Sequence, residues 1–305
     1  MTRIGLVLGA GGVTGEAFHR GVLSALAEAT GFDPATAEVL VGTSAGSLVA
    51  ATLRLGGGAA AAGAPAPPDG ALAAALGRRP DLRPLLAVAR RPWTARAGVV
   101  ATALVPAGTR PTETFVAPLR RRWGTSWPAR ELLVCAVRRR DGRRVVFGAP
   151  GAPVTDVATA VAASCAIPGY FRPVTVDGSA YVDGGVHSPT NADVLAGHGL
   201  DLVVISSPMS VERTALRATL DLTARLLWHR YVTAERRALE RRGTLVLAIE
   251  PGGAALRALG VNTLSAANVD VIEELAHTAT VALLARPENA GRAALLGGRA
   301  TSASA

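Results

Sequence analysis

Val39-Leu40-Val41-Gly42-Thr43-Ser44-Ala45-Gly46-Ser47-Leu48 is the stretch on which the reading of this chain turns. Aliphatic residues run into Gly-x-Ser-x-Gly, and an alanine/leucine helix pattern follows at once. Strand, sharp turn and helix in that order form the context of a nucleophile elbow. A serine hydroxyl is a poor nucleophile unless it is held exposed, beside a base and near donors for an oxyanion. The turn would expose Ser44. Gly42 and Gly46 leave room where the backbone approaches closely. The helix from Ala45 would bring its positive end to the developing charge.

The stretch before it has the same build. Ile4 to Leu8 reads as a strand, followed by Gly9-Ala10-Gly11-Gly12-Val13-Thr14-Gly15 and a helix from about Glu16 to Ala29. Such a loop presents backbone N–H groups to an anion. As a dinucleotide fingerprint its spacing fits poorly, because Gly-x-Gly-x-x-Gly would need a glycine at Thr14. As an oxyanion hole, Gly11 and Gly12 would offer their N–H groups to a tetrahedral intermediate. The elbow in the next βα unit favours the second reading. Two βα units in succession imply a parallel sheet.

Further along, 131–138 and 143–147 read as strands joined through Asp141-Gly142, a tight hairpin signal. A short helix of small residues spans 156–163. Strands at 174–176 and 180–182 flank Asp177-Gly178, and Asp183-Gly184-Gly185 follows directly. Strands at 202–206 and 244–249, a long helix over 212–242 and a closing helix over 265–285 complete the pattern.

Asp183 is the better candidate for the base that serves Ser44. Gly184 and Gly185 let the backbone turn so that the carboxylate points back. As a weak base it needs burial to raise its pKa, or proton transfer concerted with attack. The histidines downstream, His187, His198, His229 and His277, do not sit where a Ser-acid-His triad would place its histidine.

The ordered set of glycine loop, elbow and Asp-Gly-Gly resembles the patatin-like phospholipase family. The stretch Ala163-Ser164-Cys165-Ala166-Ile167-Pro168-Gly169-Tyr170-Phe171-Arg172-Pro173-Val174 also looks like the family's segment before its aspartate. The resemblance covers roughly 3–206. It implies a three-layer α/β/α sandwich with a mainly parallel central sheet and a Ser44–Asp183 dyad without histidine. It also implies an oxyanion hole in the first loop and hydrolysis of lipid acyl esters, with no cofactor. The sequence departs from the family at Thr14, where Arg or Lys is usual.

Composition bounds the alternatives. Hydrophobic residues make up 49% of the 305, enough for a sizeable core. All 32 basic residues are arginine, and with 23 acids the net charge is +9. Aromatics at 4% leave little to stack on bases, so nucleic acid is not the expected partner. Contact with an anionic membrane surface is compatible with the charge. The first candidate surface is Arg78 to Arg96 with Trp93, and the second is Arg213, Arg217 and Arg225 on the long helix.

Cys135 and Cys165 read as buried free thiols in a reducing compartment, and no metal cluster is spelled out. With no membrane span and a first apolar run that merges into the glycine motif, the expected setting is cytoplasmic, with peripheral membrane contact. One hydrolase domain is expected over 1–286. Within it, 56–70 is a flexible low-complexity segment and 71–123 a cap; 287–305 is expected as a frayed tail. The competing reading is a catalytically weak lipid-binding or regulatory protein of the same fold.

Overall fold

The computed structural model describes residues 2–56, 108–212 and 222–298. Five strands form a parallel tract in the order β3-β2-β1-β7-β8: Ile4–Leu8 (β1), Val39–Thr43 (β2), Glu131–Arg138 (β3), Leu202–Ser206 (β7) and Leu245–Ile249 (β8). Three antiparallel strands complete the sheet on the β3 side, Arg144–Phe147 (β4), Val174–Val176 (β5) and Ser179–Asp183 (β6). The mainly parallel sheet expected from the sequence is thus found, with an antiparallel flank.

β1, β2 and β7 are buried along their whole length, as strands covered on both faces must be. The period of two sorts their side chains into separate layers. Leu6, Leu8, Leu40, Val134 and Val204 pack under Gly12–Thr30 (α1), Ala45–Leu55 (α2), Glu113–Trp123 (α3) and Val157–Ser164 (α4). Val7, Val41, Leu133, Val203 and Ile205 face the other way. There they meet Leu195, Leu200 and Leu239, the last on Leu222–Glu240 (α5). Each fully buried aliphatic side chain contributes about 1.5–3 kcal/mol of transfer free energy. The result is the three-layer α/β/α sandwich.

Strand β3 sets the position of the site. It pairs with β2 over Glu131 to Cys135, with β6 over Ala136 to Arg138, and with β4 over Val134 to Val137. A strand has two edges. Because β4 overlaps both other partners, β2 and β6 must share the opposite edge, end to end. β2 runs parallel to β3 and stops at Thr43 opposite Cys135; β6 runs antiparallel and stops at Asp183 opposite Ala136. The two C-terminal ends meet head-on, bringing residues 44 and 183 together from opposite directions.

Several sequence expectations are adjusted. α1 starts at Gly12, inside the glycine motif, rather than at Glu16. The segment expected to be a frayed tail is folded over 287–297. Pro287–Asn289 makes a turn and Ala290–Gly297 (α8) docks, with Leu296 fully buried and the Arg292 Nε donating to Val246 O at 2.9 Å. Its contact face includes Leu295, Leu296 and Arg292, while Ala290, Gly291 and Ala294 are exposed. Gly253–Leu259 (α6), not foreseen, precedes Val269–Leu284 (α7), shorter than the closing helix expected. Residues 57–70 of the segment expected to be flexible and most of the expected cap, 71–107, lie outside the described residues, as do 299–305.

Candidate active site

Ser44 sits on the turn between β2 and α2 with φ 53° and ψ −124°, a conformation side-chain-bearing residues rarely hold. The surroundings enforce it. The Ser44 N–H donates to Ser164 Oγ at 2.8 Å, and that hydroxyl donates to Cys135 O at 2.6 Å. Ser47 Oγ donates to Ser44 O at 2.6 Å. A Cβ on Gly46 would lie 2.0 Å from Leu8 O, and one on Gly42 2.3 Å from the Ser47 Cα. Both positions are therefore restricted to glycine by close approach.

Asp183 ends β6, and its carboxylate is shared between two donors. Ser44 Oγ donates to Oδ2 at 2.7 Å and the Gly185 N–H to Oδ1 at 2.7 Å. Burial pushes the Asp183 pKa up to about 6, while the two hydrogen bonds pull against that rise. Gly184 lies against β3, where a Cβ would come within 2.2 Å of Cys135 O.

The glycine loop closes the third side. Gly9 N donates to Ser206 O at 3.0 Å, and Ala10 N to Pro189 O at 2.7 Å. Gly9 O accepts from Gly46 N at 3.2 Å and from His19 Nε2 at 2.7 Å. Gly12 takes φ 59° and opens α1. Among the described residues no acceptor takes the N–H groups of Gly11, Gly12 or Ala45. Gly11 and Gly12 line a cleft of about 320 Å³ with Ser44 and Asp183. Its walls are apolar, built by Ile167, Pro168, Val186, Met209 and Trp228.

All eight residues singled out in the sequence, Gly11, Gly12, Gly42, Ser44, Gly46, Asp183, Gly184 and Gly185, gather at this one place. The four downstream histidines do not line the cleft. His198, His229 and His277 face Glu131, Glu250 and Glu28.

The sequence did not flag His19. Fully buried, it must carry its proton on Nε2, because Gly9 O can only accept, so Nδ1 accepts from Ser206 Oγ at 2.8 Å. Desolvation holds its pKa down at about 4. Ser164 and the Ala45 N–H were also missed. A serine 120 residues away in sequence gives no local signal, whereas the residue after an elbow serine is a known place for a donor.

Both cysteines are buried and free, and desolvation pushes the Cys135 thiol up to about 12 and that of Cys165 higher still. They are unreactive structural thiols.

Arg225 is corrected. It is not a surface residue facing a membrane but is 1% exposed, donating to Pro208 O at 3.0 Å and Gly260 O at 3.2 Å. The helical period turned it inward. Arg213, Arg217 and the Arg78 to Arg96 run with Trp93 lie outside the described residues. No helix among the described residues is long and apolar enough to cross a membrane. Among them, too, no group of three His, Cys, Asp or Glu side chains is placed to hold a metal ion.

Comparison with known proteins bears on this arrangement. Among curated proteins, none matches the chain. Solved structures with a similar course include VipD from Legionella pneumophila, at 14% identity and a TM-score of 0.44, covering 93% of this chain and 66% of that one. The type III effector protein ExoU is similar at 18% identity and a TM-score of 0.38, over 93% of this chain and 53% of that one. The chain thus spans under two thirds of the length of each. A sequence model of the patatin-like phospholipases matches residues 6–196, a span that begins in β1 and takes in the glycine loop, the elbow and Asp-Gly-Gly. The chain belongs to the patatin-like phospholipase family.

Proposed function

We propose that this protein is a serine lipid acyl hydrolase of the phospholipase A or carboxylester lipase type, working through Ser44 and Asp183. The observation that carries the reading is the 2.7 Å hydrogen bond from Ser44 Oγ to Asp183 Oδ2 at an apolar cleft. Asp183 takes the Ser44 proton as Oγ attacks the ester carbonyl. The oxyanion is held by the N–H groups of Gly11 and Gly12, with that of Ala45 beside them. Collapse of the tetrahedral intermediate expels the alcohol, which takes the proton from Asp183, and leaves an acyl-Ser44 ester. Water, deprotonated by Asp183, attacks that ester; fatty acid leaves and Ser44 regains its proton.

A carboxylate with a pKa near 6 is ionised at neutral pH yet basic enough to take part. The apolar walls suit an acyl chain better than a polar leaving group. No step calls for a cofactor. Reaching an ester at a lipid surface requires peripheral membrane contact, for which the net charge of +9 favours anionic bilayers. A cytoplasmic setting fits the two free thiols.

Labelling with a fluorophosphonate, followed by turnover of short-chain nitrophenyl esters, tests the reading. The wild type is expected to label. Ser44→Ala and Asp183→Asn are each expected to lose turnover by about 10⁴-fold or more while staying folded. His187→Ala and His277→Ala should keep it. Undiminished turnover in folded Ser44→Ala would remove Ser44 as the nucleophile. A wild type that binds lipid but never labels would favour the lipid-binding alternative.

A further inference from the structure

Outside the family match at 6–196, α5 buries a carboxylate that the reaction does not use. Glu235 is 4% exposed and does not line the cleft. Its partners are Ser188 Oγ and Thr190 Oγ1, each donating at 2.5 Å, and the Ala192 N–H at 2.8 Å. Burial pushes its pKa up, and those three donors oppose the rise. The nearby guanidinium of Arg144 donates to the Asp193 carboxylate through both terminal nitrogens and, more weakly, to Asn191 Oδ1 at 3.3 Å.

The loop that Glu235 fastens is where the three motifs are tied together. Pro189 O accepts from Ala10 N of the glycine loop at 2.7 Å. Asn191, held in the left-handed region at φ 54°, donates through Nδ2 to Thr43 Oγ1 at 3.1 Å, next to Ser44. The same Nδ2 approaches Gly184 O, next to Asp183, at 3.4 Å. One short loop thus touches the oxyanion loop, the residue before the nucleophile and the residue after the base.

We propose that Glu235 is a positioning residue, whose three hydrogen bonds to residues 188–192 hold the glycine loop in register with Ser44 and Asp183. This rests on the proposed hydrolase reading. As mere packing, a buried carboxylate is a poor choice, since apolar replacements of buried charges are often neutral or stabilising. As a fixture it is apt: three donors converge on one rigid acceptor. Losing it frees Ser188 and Thr190 to turn, and the Ala10 to Pro189 bond slackens with them. A displacement near 1 Å in such a constellation costs about 10²-fold in rate.

The test measures kcat and KM on a nitrophenyl ester, and the fluorophosphonate labelling rate, for wild type, Glu235→Ala, Glu235→Gln and Thr280→Ala. The last removes a buried hydroxyl of α7, which donates to Ala276 O, and serves as a stability control. Glu235→Ala should lose about 10- to 100-fold in kcat with KM within about threefold, and labelling should slow by the same factor. Glu235→Gln should recover part, because its carbonyl can still accept the Ala192 N–H.

Wild-type kcat in folded Glu235→Gln and Glu235→Ala would overturn the proposal. So would a change in KM alone, or a loss of kcat that Thr280→Ala reproduces at equal Tm. Should Glu235→Ala fail to fold, Glu235→Gln decides by the same criteria. A wild type that labels while the variants match it overturns this inference alone; a wild type that never labels overturns the hydrolase reading and this one with it.

Discussion

The strand ends that meet at the cleft are built on opposite principles. At the β2 end the backbone carries the load: Ser44 is strained at φ 53°, and Gly46 is pressed against Leu8 O. At the β6 end the backbone is ordinary, with Asp183 at φ −48° and ψ 133°, and the side chain carries the load instead. Its carboxylate is buried, raised in pKa and held by two donors. In the proposed reaction Ser44 is the nucleophile, which must be aimed, and strain aims it. Asp183 is the proposed base, which must be tuned, and burial tunes it.

The largest effect that would break this contrast is steric. Gly46→Ala pushes a Cβ into backbone at 2.0 Å, which only a shift of the elbow can relieve, so it should cost about 3 kcal/mol or more and nearly all activity. The matching change at the other end, Gly185→Ala, meets Asp183 Oδ1 at 3.1 Å and Ala10 Cβ at 3.2 Å. Those neighbours can give a few tenths of an ångström, so about 1 kcal/mol is expected. Urea midpoints of the two variants measure the difference. Equal losses would mean that the aspartate end is as rigid in its backbone as the serine end.

Electrostatics sharpens the contrast from the other side. The folded state holds Asp183 near 6 against an ordinary 3.8, so it favours the protonated acid. Below pH 3.8 this has no cost; as pH rises from there through 6 the unfolded chain ionises first and stability is lost. At 1.36 kcal/mol per pH unit of separation the loss reaches about 3 kcal/mol. Asp183→Asn should therefore be more stable than wild type at pH 8, though inactive, with the gain vanishing near pH 3.5.

His19 has the reverse sign. Held near 4 against 6.5, it costs stability as pH falls from 6.5 to 4. The two partly cancel in the wild type, so Asp183→Asn should show a steeper fall in Tm between pH 6.5 and 4. Wild-type kcat/KM, which in the proposed reaction needs ionised Asp183, should rise about tenfold per pH unit and level off above 6.

How far the sequence could be read follows the same division. β1, β2, the elbow and the glycine loop were legible because their signals are local: a run of aliphatics, then glycines at fixed offsets. The Asp177-Gly178 hairpin turn was legible too, and both residues take positive φ. Asp183 could be nominated, but not its neighbours. Ser164 and His19 act across 120 and 187 residues of sequence, and Glu235 acts from a helix beyond the family match. Nothing in their own surroundings in the sequence announces that. Arg225 was misplaced for a related reason, since a charge on a helix looks solvated until the packing of that helix is known. α8 was missed because Ala and Gly at a chain end look the same whether or not a partner surface exists.

The smallest effect concerns Thr14, where the family usually carries Arg or Lys. Its side chain is 2% exposed and does not line the cleft. Its hydroxyl is shared between Gly11 O at 3.4 Å and Thr263 O at 3.3 Å, both long for a hydroxyl donor. Each carbonyl has a better donor already: Gly15 N reaches Gly11 O at 2.8 Å, and Thr14 N reaches Thr263 O at 3.1 Å. Thr14→Val therefore strands no buried acceptor, and the missing hydroxyl should cost under about 1 kcal/mol. Because the glycine loop is held by Gly9 and Ala10 through Ser206 O and Pro189 O, kcat should stay within about twofold of wild type. Nitrophenyl ester kinetics beside a thermal melt would check both numbers. A tenfold loss of kcat at unchanged Tm would place Thr14 in the oxyanion machinery, and the aiming of the serine end would then extend from the backbone of β2 into the first turn of α1.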